Sequence, residues 1–336
     1  MKPVVTFGEI MLRLAPPLNY RFAQAASLEM SYGGGDANVA AALAGLGVPA
    51  AHVTCFPAND LGRAAAQQFR RLGVDMGHTV FRGERLGLYF LEVGAGMRPS
   101  KVVYDRAGSA FEKLDPADFD WDEILKTAGW LHWTGITPAI SSAAAEATGQ
   151  AIAAARRLGI PVSADVNYRR NLWQYGQRAQ DVLPALVAGC DLVVCGEGDA
   201  ADIFGIVPVP GADHPFVSVA QQVMARFPRI RQVITTQRQT HSASHNELTG
   251  WLFDGQQFYE TPTYDLNPIV DRIGGGDAFM AGFIYGSLTY NNPQRALTFG
   301  VAASALKHTI HGDVNQVTVA EVEEIVRGNT SGRLLR

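Results

Sequence analysis

The chain has 336 residues, of which 47% are hydrophobic and 18% charged, so it can bury a large core. Its formal net charge of -4 excludes the basic excess with which proteins hold nucleic acid or an anionic membrane surface. No apolar run reaches the ~18 residues that span a bilayer, and the first residues predict a strand rather than a secretion signal. Three cysteines without a CxxC pair favour free core thiols in a reducing cytoplasm: Cys55, Cys190 and Cys195.

Strands rich in β-branched and aromatic residues alternate along the chain with alanine-rich helical stretches. The candidate strands are 3–8, 50–56, 130–134, 160–166, 190–195 and 231–236. The candidate helices are 36–46, 61–72, 142–158, 178–188 and 275–289. This alternation is typical of an α/β fold with a mainly parallel sheet and helices on both faces. Ligands bind such sheets at the carboxyl ends of the strands.

Two regions break this rhythm and have no helical periodicity, namely 9–32 and 79–111. Both contain short alternating segments, so we expect them to pair as a small β-sheet that covers the active site as a lid. The remainder of residues 1–336 forms the α/β core of one domain. The segments 206–215 and 328–336 are predicted to be a loop and a chain end.

Three glycines and an aspartate directly precede the last predicted helix: Gly274, Gly275, Gly276 and Asp277. Consecutive glycines are costly in backbone entropy, which is reasonable where the backbone must approach a ligand closely. The N–H groups at a helix N-terminus form an anion site. Asp277 would be a poor neighbour for a resting anion, but it could accept a proton from a hydroxyl that attacks a phosphoryl group.

The alternative interpretation of this segment is a glycine turn in which Asp277 only caps the helix. The chain contains no GxxxxGK[ST] loop, and Phe279 occupies the place of the third glycine of a dinucleotide fingerprint. The residues of this segment alone therefore leave the site and the cap as open alternatives.

Two separated signatures make the chain resemble the ribokinase-like (PfkB) family of sugar kinases over essentially its whole length. The C-terminal signature of that family is matched by Asp271-Arg272-Ile273-Gly274-Gly275-Gly276-Asp277. The N-terminal signature is matched by Gly33-Gly34-Gly35-Asp36-Ala37-Asn38, followed by an alanine-rich helix. The resemblance implies a three-layer α/β/α core with a small β-sheet lid.

The resemblance also implies roles for particular residues of these two signatures. Asp277 would be the catalytic base, and the backbone of Gly274, Gly275 and Gly276 would bind the transferred phosphoryl group. Gly34, Gly35 and Asn38 would border the sugar. ATP with Mg²⁺ would be the phosphoryl donor.

Two arginines indicate that the substrate is a sugar acid. Arg106 ends a lid strand and Arg169 follows a core strand, so both point toward the expected cleft. Guanidinium groups bind carboxylates in bidentate geometry, which a neutral hexose does not require. Tyr89 and Tyr104 add hydroxyl groups and apolar walls. The alternative is that both arginines form surface ion pairs.

Four runs resemble the 2-keto-3-deoxygluconate kinase subfamily: 87–89, 104–110, 135–138 and 165–169. By this resemblance Tyr89, Tyr104, Arg106 and Arg169 contact the substrate, and so does Asp313. The implied reaction is phosphorylation of 2-keto-3-deoxygluconate to its 6-phosphate, in sugar-acid catabolism of the Entner–Doudoroff type. The epimer at C4 is left open, as are a neutral sugar substrate such as fructose or ribose and a non-catalytic sugar-acid sensor.

The chain departs from the family pattern near the nucleotide. Gly196-Glu197-Gly198-Asp199 stands where an Asn-x-x-Glu motif is common, so Glu197 and Asp199 are candidate Mg²⁺ ligands through water. Thr235-Thr236-Gln237-Arg238 replaces a Thr-Lys-Gly run, which makes Thr236 and Arg238, together with Gly274 and Gly276, the candidate nucleotide contacts. Pro57 and Arg272 replace a glycine and a threonine.

Two pairs of histidines have spacings that suit zinc on a helix, His241 with His245 and His308 with His311. The stretch 241–246 is polar and loop-like and offers no third ligand. We therefore expect exposed or hydrogen-bonded histidines. Because related kinases often dimerise through the lid sheet, the resemblance also implies a homo-oligomer whose other partners are a sugar acid and ATP.

Overall fold

A nine-stranded sheet forms the centre of the protein in a computed structural model, which describes residues 1–332. The strands are β1 Val4–Phe7, β4 Ala50–Val53, β9 Trp130–Thr134, β10 Val162–Asp165, β11 Leu192–Val194, β12 Gln232–Ser242, β13 His245–Phe253, β14 Phe258–Glu260 and β15 Tyr264–Leu266. Eight of them follow the order β14-β13-β12-β11-β10-β9-β1-β4, and β15 pairs with β13. Neighbours in this order are parallel from β4 to β12, and the pairs that β13 forms with β12, β14 and β15 are antiparallel.

Helices cover both faces of this sheet. They are α1 Gly35–Gly45, α2 Asp60–Arg71, α3 Trp121–Leu125, α4 Ser142–Arg157, α5 Ala179–Val187, α6 Glu197–Asp199, α7 Pro215–Arg226, α8 Gly275–Tyr290, α9 Pro293–Lys307 and α10 Val319–Val326. Strand β1 is buried on both sides, since Val5 and Phe7 join the core on one face and Val4 joins the core on the other. This is the packing expected of a parallel sheet between two helical layers. No helix within residues 1–332 is both long and apolar enough to cross a membrane.

A second sheet of four strands leaves the carboxyl end of β1 and forms the lid. Its order is β3-β2-β7-β8, with β2 Met11–Ala15, β3 Glu29–Gly33, β7 Leu88–Glu92 and β8 Lys101–Asp105. These strands lie in the regions 9–32 and 79–111, which were predicted to form the lid, although β3 extends one residue beyond 32. Two short strands, β5 Cys55–Phe56 and β6 Val80–Phe81, pair separately.

The sequence predicted the elements of the core better than the hairpin that follows β12. Residues 241–246 were expected to be a loop, but β12 continues to Ser242 and β13 begins at His245. This prediction was wrong because backbone pairing between β12 and β13 supplies hydrogen bonds that do not depend on side-chain polarity. The loop over 206–215 is present up to Pro215, where α7 begins. Of the predicted chain end, residues 333–336 lie outside the described residues.

Candidate active site

Residues 271–277, the predicted catalytic loop, turn sharply into α8 at Gly274. Gly274 has φ +81°, and a Cβ there would lie 1.8 Å from the Asp313 carbonyl oxygen. A Cβ on Gly275 would lie 2.7 Å from His308 Cε1, whereas one on Gly276 would meet no atom within 4 Å. Protein atoms therefore pack against the loop at Gly274 and Gly275, whereas the loop is open at Gly276. The first N–H groups of α8 lie at this open side, where the helix dipole favours an anion.

Asp277 lies in the first turn of α8 and contacts the first residues of α1. Asn38 Nδ2 donates to Asp277 Oδ2 at 2.7 Å, and Asn38 Oδ1 accepts from the Gly34 N–H at 3.3 Å. A Cβ on Gly35 would lie 3.7 Å from Asp277 Oδ1. Burial raises the pKa of Asp277 to about 6, although the Asn38 hydrogen bond acts to lower it. The carboxylate is thus held in place and has a pKa close to neutrality, as suits a general base.

A cavity of about 620 Å³ lies between the lid and the core, directly in front of Gly35. Its lid wall includes Met11, Val102, Tyr104 and Arg106. Its core wall includes Gly34, Gly35, Asp36, Ile136, Thr137, Ile140, Tyr168, Arg169, Arg170 and Leu172. The cavity is large enough for a sugar, and Gly35 in its wall is adjacent to Asp277.

The two predicted substrate arginines both line this cavity, in different electrostatic states. Arg106 Nε donates to Glu9 Oε2 at 2.9 Å, and Ser109 Oγ donates to Glu9 Oε1 at 2.6 Å. Arg106 therefore forms an ion pair, but with a buried carboxylate and not at the surface. Arg169 is exposed to the cavity and has no carboxylate within 4 Å among residues 1–332. Sequence reasoning missed Glu9, which only its position after β1 could have suggested.

Tyr89 and Asp313 lie behind the cavity wall, in a buried polar network centred on Arg13. Arg13 reaches Asp271 at 2.6 Å and Asp313 at 2.7 Å, and the Tyr89 hydroxyl donates to Asp313. Burial would lower the pKa of Arg13, but the two carboxylates outweigh it and raise the pKa. The structure brings Tyr89 and Asp313 together, and their contact with substrate remains a prediction. Sequence reasoning missed Arg13, whose one signal is an arginine within the apolar strand Met11–Ala15.

A group of carboxylates lies beside Asp277 on the side of the predicted metal site. Burial raises the pKa of Asp165 to about 7, and the charges of Asp199 and Asp277 add to this effect. Burial also raises the pKa of Asp199, which accepts the Tyr168 N–H at 3.3 Å. Residues 1–332 contain no cluster of three or more His, Cys, Asp or Glu with metal-binding geometry. Mg²⁺ commonly takes one or two carboxylates and completes its shell with water and phosphate, so these oxygens fit it.

Positive charges at the predicted nucleotide site lie beside the predicted metal site, since a Cβ on Gly196 would lie 3.3 Å from Thr235 Oγ1. Thr236 and Arg238 lie on β12. Loss of hydration and the positive charges of Arg272 and Arg169 lower the pKa of Arg238. Arg272, for which no role was predicted, therefore lies near Arg238. Glu197 begins α6 and is half-buried.

The histidines have ordinary partners. His241 and His245 are half-buried or exposed and approach Glu247 at 3.4 Å and Asp265 at 2.8 Å. His308 is buried, and its Nδ1 donates to the Ser304 carbonyl oxygen at 2.7 Å. Burial lowers the pKa of His308 to about 4. The expectation of exposed or hydrogen-bonded histidines agrees with these contacts. The cysteines are also free and buried, as expected.

The α/β core, the small second sheet and the glycine-rich turn before α8 are those of a ribokinase-like kinase. Residues 1–319 match the model of the pfkB family of carbohydrate kinases, and the chain belongs to that family. It is a phosphotransferase that acts on a sugar hydroxyl.

Three relatives narrow the class of kinase. A 2-dehydro-3-deoxygalactonokinase of Haloferax volcanii is 35% identical over 98% of each chain. A 2-dehydro-3-deoxygluconokinase of Thermoproteus tenax is 26% identical over 97% of this chain and 95% of its own. The crystal structure of 2-dehydro-3-deoxygluconokinase from Thermotoga maritima is 41% identical, covers 97% of this chain and 98% of its own, and superposes with a TM-score of 0.93.

The buried network predicts that Arg13 is critical for stability. Arg13→Met should lower the free energy of unfolding by about 3–5 kcal/mol, because Asp271 and Asp313 would be left buried without their partner. Denaturant unfolding measures this change. The control is Arg63→Ala, which breaks an exposed pair with Asp60 and should change stability by no more than about 0.5 kcal/mol. Equal effects of the two variants would contradict the prediction.

Proposed function

We propose that this protein uses ATP and Mg²⁺ to phosphorylate the terminal hydroxyl of a 2-keto-3-deoxy sugar acid, with 2-keto-3-deoxygluconate as the first candidate. The observation that carries the proposal is the position of Arg169 in the cavity wall, close enough to Asp277 for its charge to act on that carboxylate. A guanidinium that forms no direct ion pair suits the acid group at one end of the substrate. A carboxylate with a pKa near neutrality suits the hydroxyl at the other end.

The chemistry of the proposed reaction follows from the positions of these groups. Asp277 accepts the proton of the attacking hydroxyl as its oxygen bonds to the γ-phosphorus and the bond to the ADP oxygen breaks. Asn38 holds Asp277 through the 2.7 Å hydrogen bond. The N–H groups at the start of α8 stabilise the charge on the transferred phosphoryl group, which is the main requirement in phosphoryl transfer.

Charged groups around the catalytic loop support a site for the donor. Arg238 and Thr236 are the proposed contacts of the ATP phosphates. Asp199, with Asp165 beside it and Glu197 at the start of α6, would hold Mg²⁺. When bound there, Mg²⁺ would supply positive charge that offsets the charge of the phosphates.

The substrate proposal is tested by ADP release with a panel of acceptors: 2-keto-3-deoxygluconate, its galactonate epimer, fructose, ribose and adenosine. We expect kcat/KM to be highest for one of the two sugar acids. Faster turnover of a neutral acceptor would overturn the acid assignment. Retained binding of a sugar acid without any turnover would instead identify a sensor.

Arg169 provides a matched variant for the same panel. Arg169→Gln should lower kcat/KM for the sugar acid by about 10–100-fold, the value of one charge-assisted hydrogen bond, and leave a neutral acceptor nearly unchanged. Arg157→Gln removes an exposed arginine outside the cavity and serves as the control. Similar losses for acidic and neutral acceptors would argue against carboxylate binding by Arg169.

The role of Asp277 predicts both a mutant effect and a pH dependence. Asp277→Asn should lower kcat by about 10²–10⁴-fold with substrate affinity nearly retained, because an amide cannot accept the proton. In the wild type, kcat/KM should fall as the pH drops below about 6, since protonation then removes the base. Steady-state kinetics across pH measure both effects. A variant as active as the wild type would exclude Asp277 as the base.

We also propose that the protein is a cytoplasmic homo-oligomer. Met30 on β3 and Val103 on β8 lie in register with Leu14 and Phe90 on one face of the lid and are 60% and 54% exposed. Val102 and Tyr104 belong to the other face, which lines the cavity. A second copy would cover the apolar face that carries Met30 and Val103. Light scattering of the purified protein tests the oligomer, and a monomeric mass would exclude it.

The three free buried thiols support the proposed location in a reducing compartment.

A further inference from the structure

Lys307, the last residue of α9, is a fully buried lysine next to the catalytic loop. Its side chain has 0% exposure. The ammonium donates to the Ile310 carbonyl at 3.0 Å and is 3.4 Å from the Asp271 carbonyl. Sequence reasoning assigned this residue no role, and the proposed mechanism does not use it.

The Lys307 ammonium is surrounded by carbonyl oxygens, as a small coordinated cation is, and does not form an ordinary ion pair. Lysine is almost never fully buried without a partner that offsets its desolvation. Within residues 1–332 no carboxylate lies within 4 Å of Lys307, and its contacts are backbone carbonyl oxygens. The charges of Asp271, Asp313 and Asp277 act on it from a longer distance, against that of Arg13. Carbonyl oxygens of this kind can replace the hydration shell of a monovalent cation.

The two carbonyls belong to the segments that must be aligned for catalysis. The Asp271 carbonyl begins the catalytic loop, and the Ile310 carbonyl begins the turn that leads to Asp313. The same segments meet again where the Gly312 N–H donates to Asp271 Oδ2 at 3.1 Å. They meet once more where Gly274 packs against the Asp313 carbonyl. The ammonium therefore joins the anion site to the turn that carries Asp313.

We propose that Lys307 is a built-in monovalent cation, a positioning residue whose ammonium holds the Asp271 and Ile310 carbonyls together and thereby fixes the anion site at α8. Two consequences follow. The wild-type enzyme works without a dissolved monovalent cation. Removal of the lysine side chain opens a carbonyl-lined space, so that catalysis comes to depend on a dissolved cation of similar size.

The experiment compares the full-length wild type, Lys307→Ala and Lys307→Met. Activity is measured in tetramethylammonium chloride, whose cation is too large for the space, and then with ammonium or potassium chloride substituted at constant ionic strength of about 0.1 M. We expect the kcat of the wild type to change by less than about twofold. Lys307→Ala should lose about 10–100-fold in kcat, the usual effect of a small misplacement of reacting groups, and recover in part with ammonium or potassium.

Lys307→Met is the matched control, because its apolar side chain fills the space and leaves no room for an ion. It should lose activity in the same way but recover with neither cation. Lys126→Ala, which removes an exposed lysine paired with Glu123, should behave as the wild type. Loss of activity in Lys307→Ala without recovery in either cation, or full activity in tetramethylammonium, would overturn the proposal. So would strong activation of the wild type by potassium, a measurement that needs no variant.

A second readout separates this inference from the choice of substrate. Ammonium or potassium should raise the melting temperature of Lys307→Ala relative to tetramethylammonium and leave that of Lys307→Met unchanged, since only a bound cation stabilises the folded state. This measurement requires no sugar. If the sugar acid is not turned over but the melting shifts occur, the substrate proposal fails and the built-in cation stands.

Discussion

The buried bridge from Arg13 to Asp271 and Asp313 is the interaction on which the geometry of the site depends. It joins three distant parts of the chain: lid strand β2, the catalytic loop and the turn after α9. A buried ion pair contributes little net stability when complete, but its disruption is expensive, because a lone charge then remains in a poorly hydrated place. The bridge therefore acts mainly as a constraint. Alternative placements of the lid strand relative to the catalytic loop would leave a charge unpaired.

The same constraint links the lid to the loop before α8. Asp271 also accepts the Ile273 and Gly312 N–H groups, at 3.0 and 3.1 Å, which shapes the loop immediately before Gly274. Asp313 accepts a hydrogen bond from Tyr89 of the lid. The lid, whose Tyr104 and Arg106 line the cavity, is thus attached to the loop proposed to bind the phosphoryl group. Lys307 contacts the same two segments, so two buried cations stabilise a junction that contains two buried carboxylates.

The parts of the site that could be predicted from the sequence are those that short, continuous segments of the chain specify. The alternation of strands and helices predicted the parallel core, and the two glycine-rich segments predicted the loop at Asp277 and the turn before α1. Topology then brings them together, because β1 and β9 are neighbours, the residues at their carboxyl ends lie next to the start of α1, and Asn38 of α1 contacts Asp277. Glu9, Arg13 and Lys307 were not predicted for a shared reason. Each contacts at least one residue distant in the chain, as in the 300-residue separation of Arg13 and Asp313, and a charged residue in an apolar segment does not reveal its partner.

The arrangement of charges around the cavity bears on why an acid would be preferred. Of the three arginines that line it, Arg106 is paired with Glu9 and Arg170 approaches Asp202 at 3.9 Å. Arg169 has no such partner among the described residues. The charges of Asp165, Asp199 and Asp277 act on Arg169, but none of them lies within 4 Å of it. A substrate carboxylate would give Arg169 a direct ion pair without breaking the buried Arg106–Glu9 pair. A neutral sugar would displace water from Arg169 and return no charge, so its binding would cost desolvation that an acid recovers. Discrimination would then arise as much from the penalty on neutral sugars as from attraction to the acid.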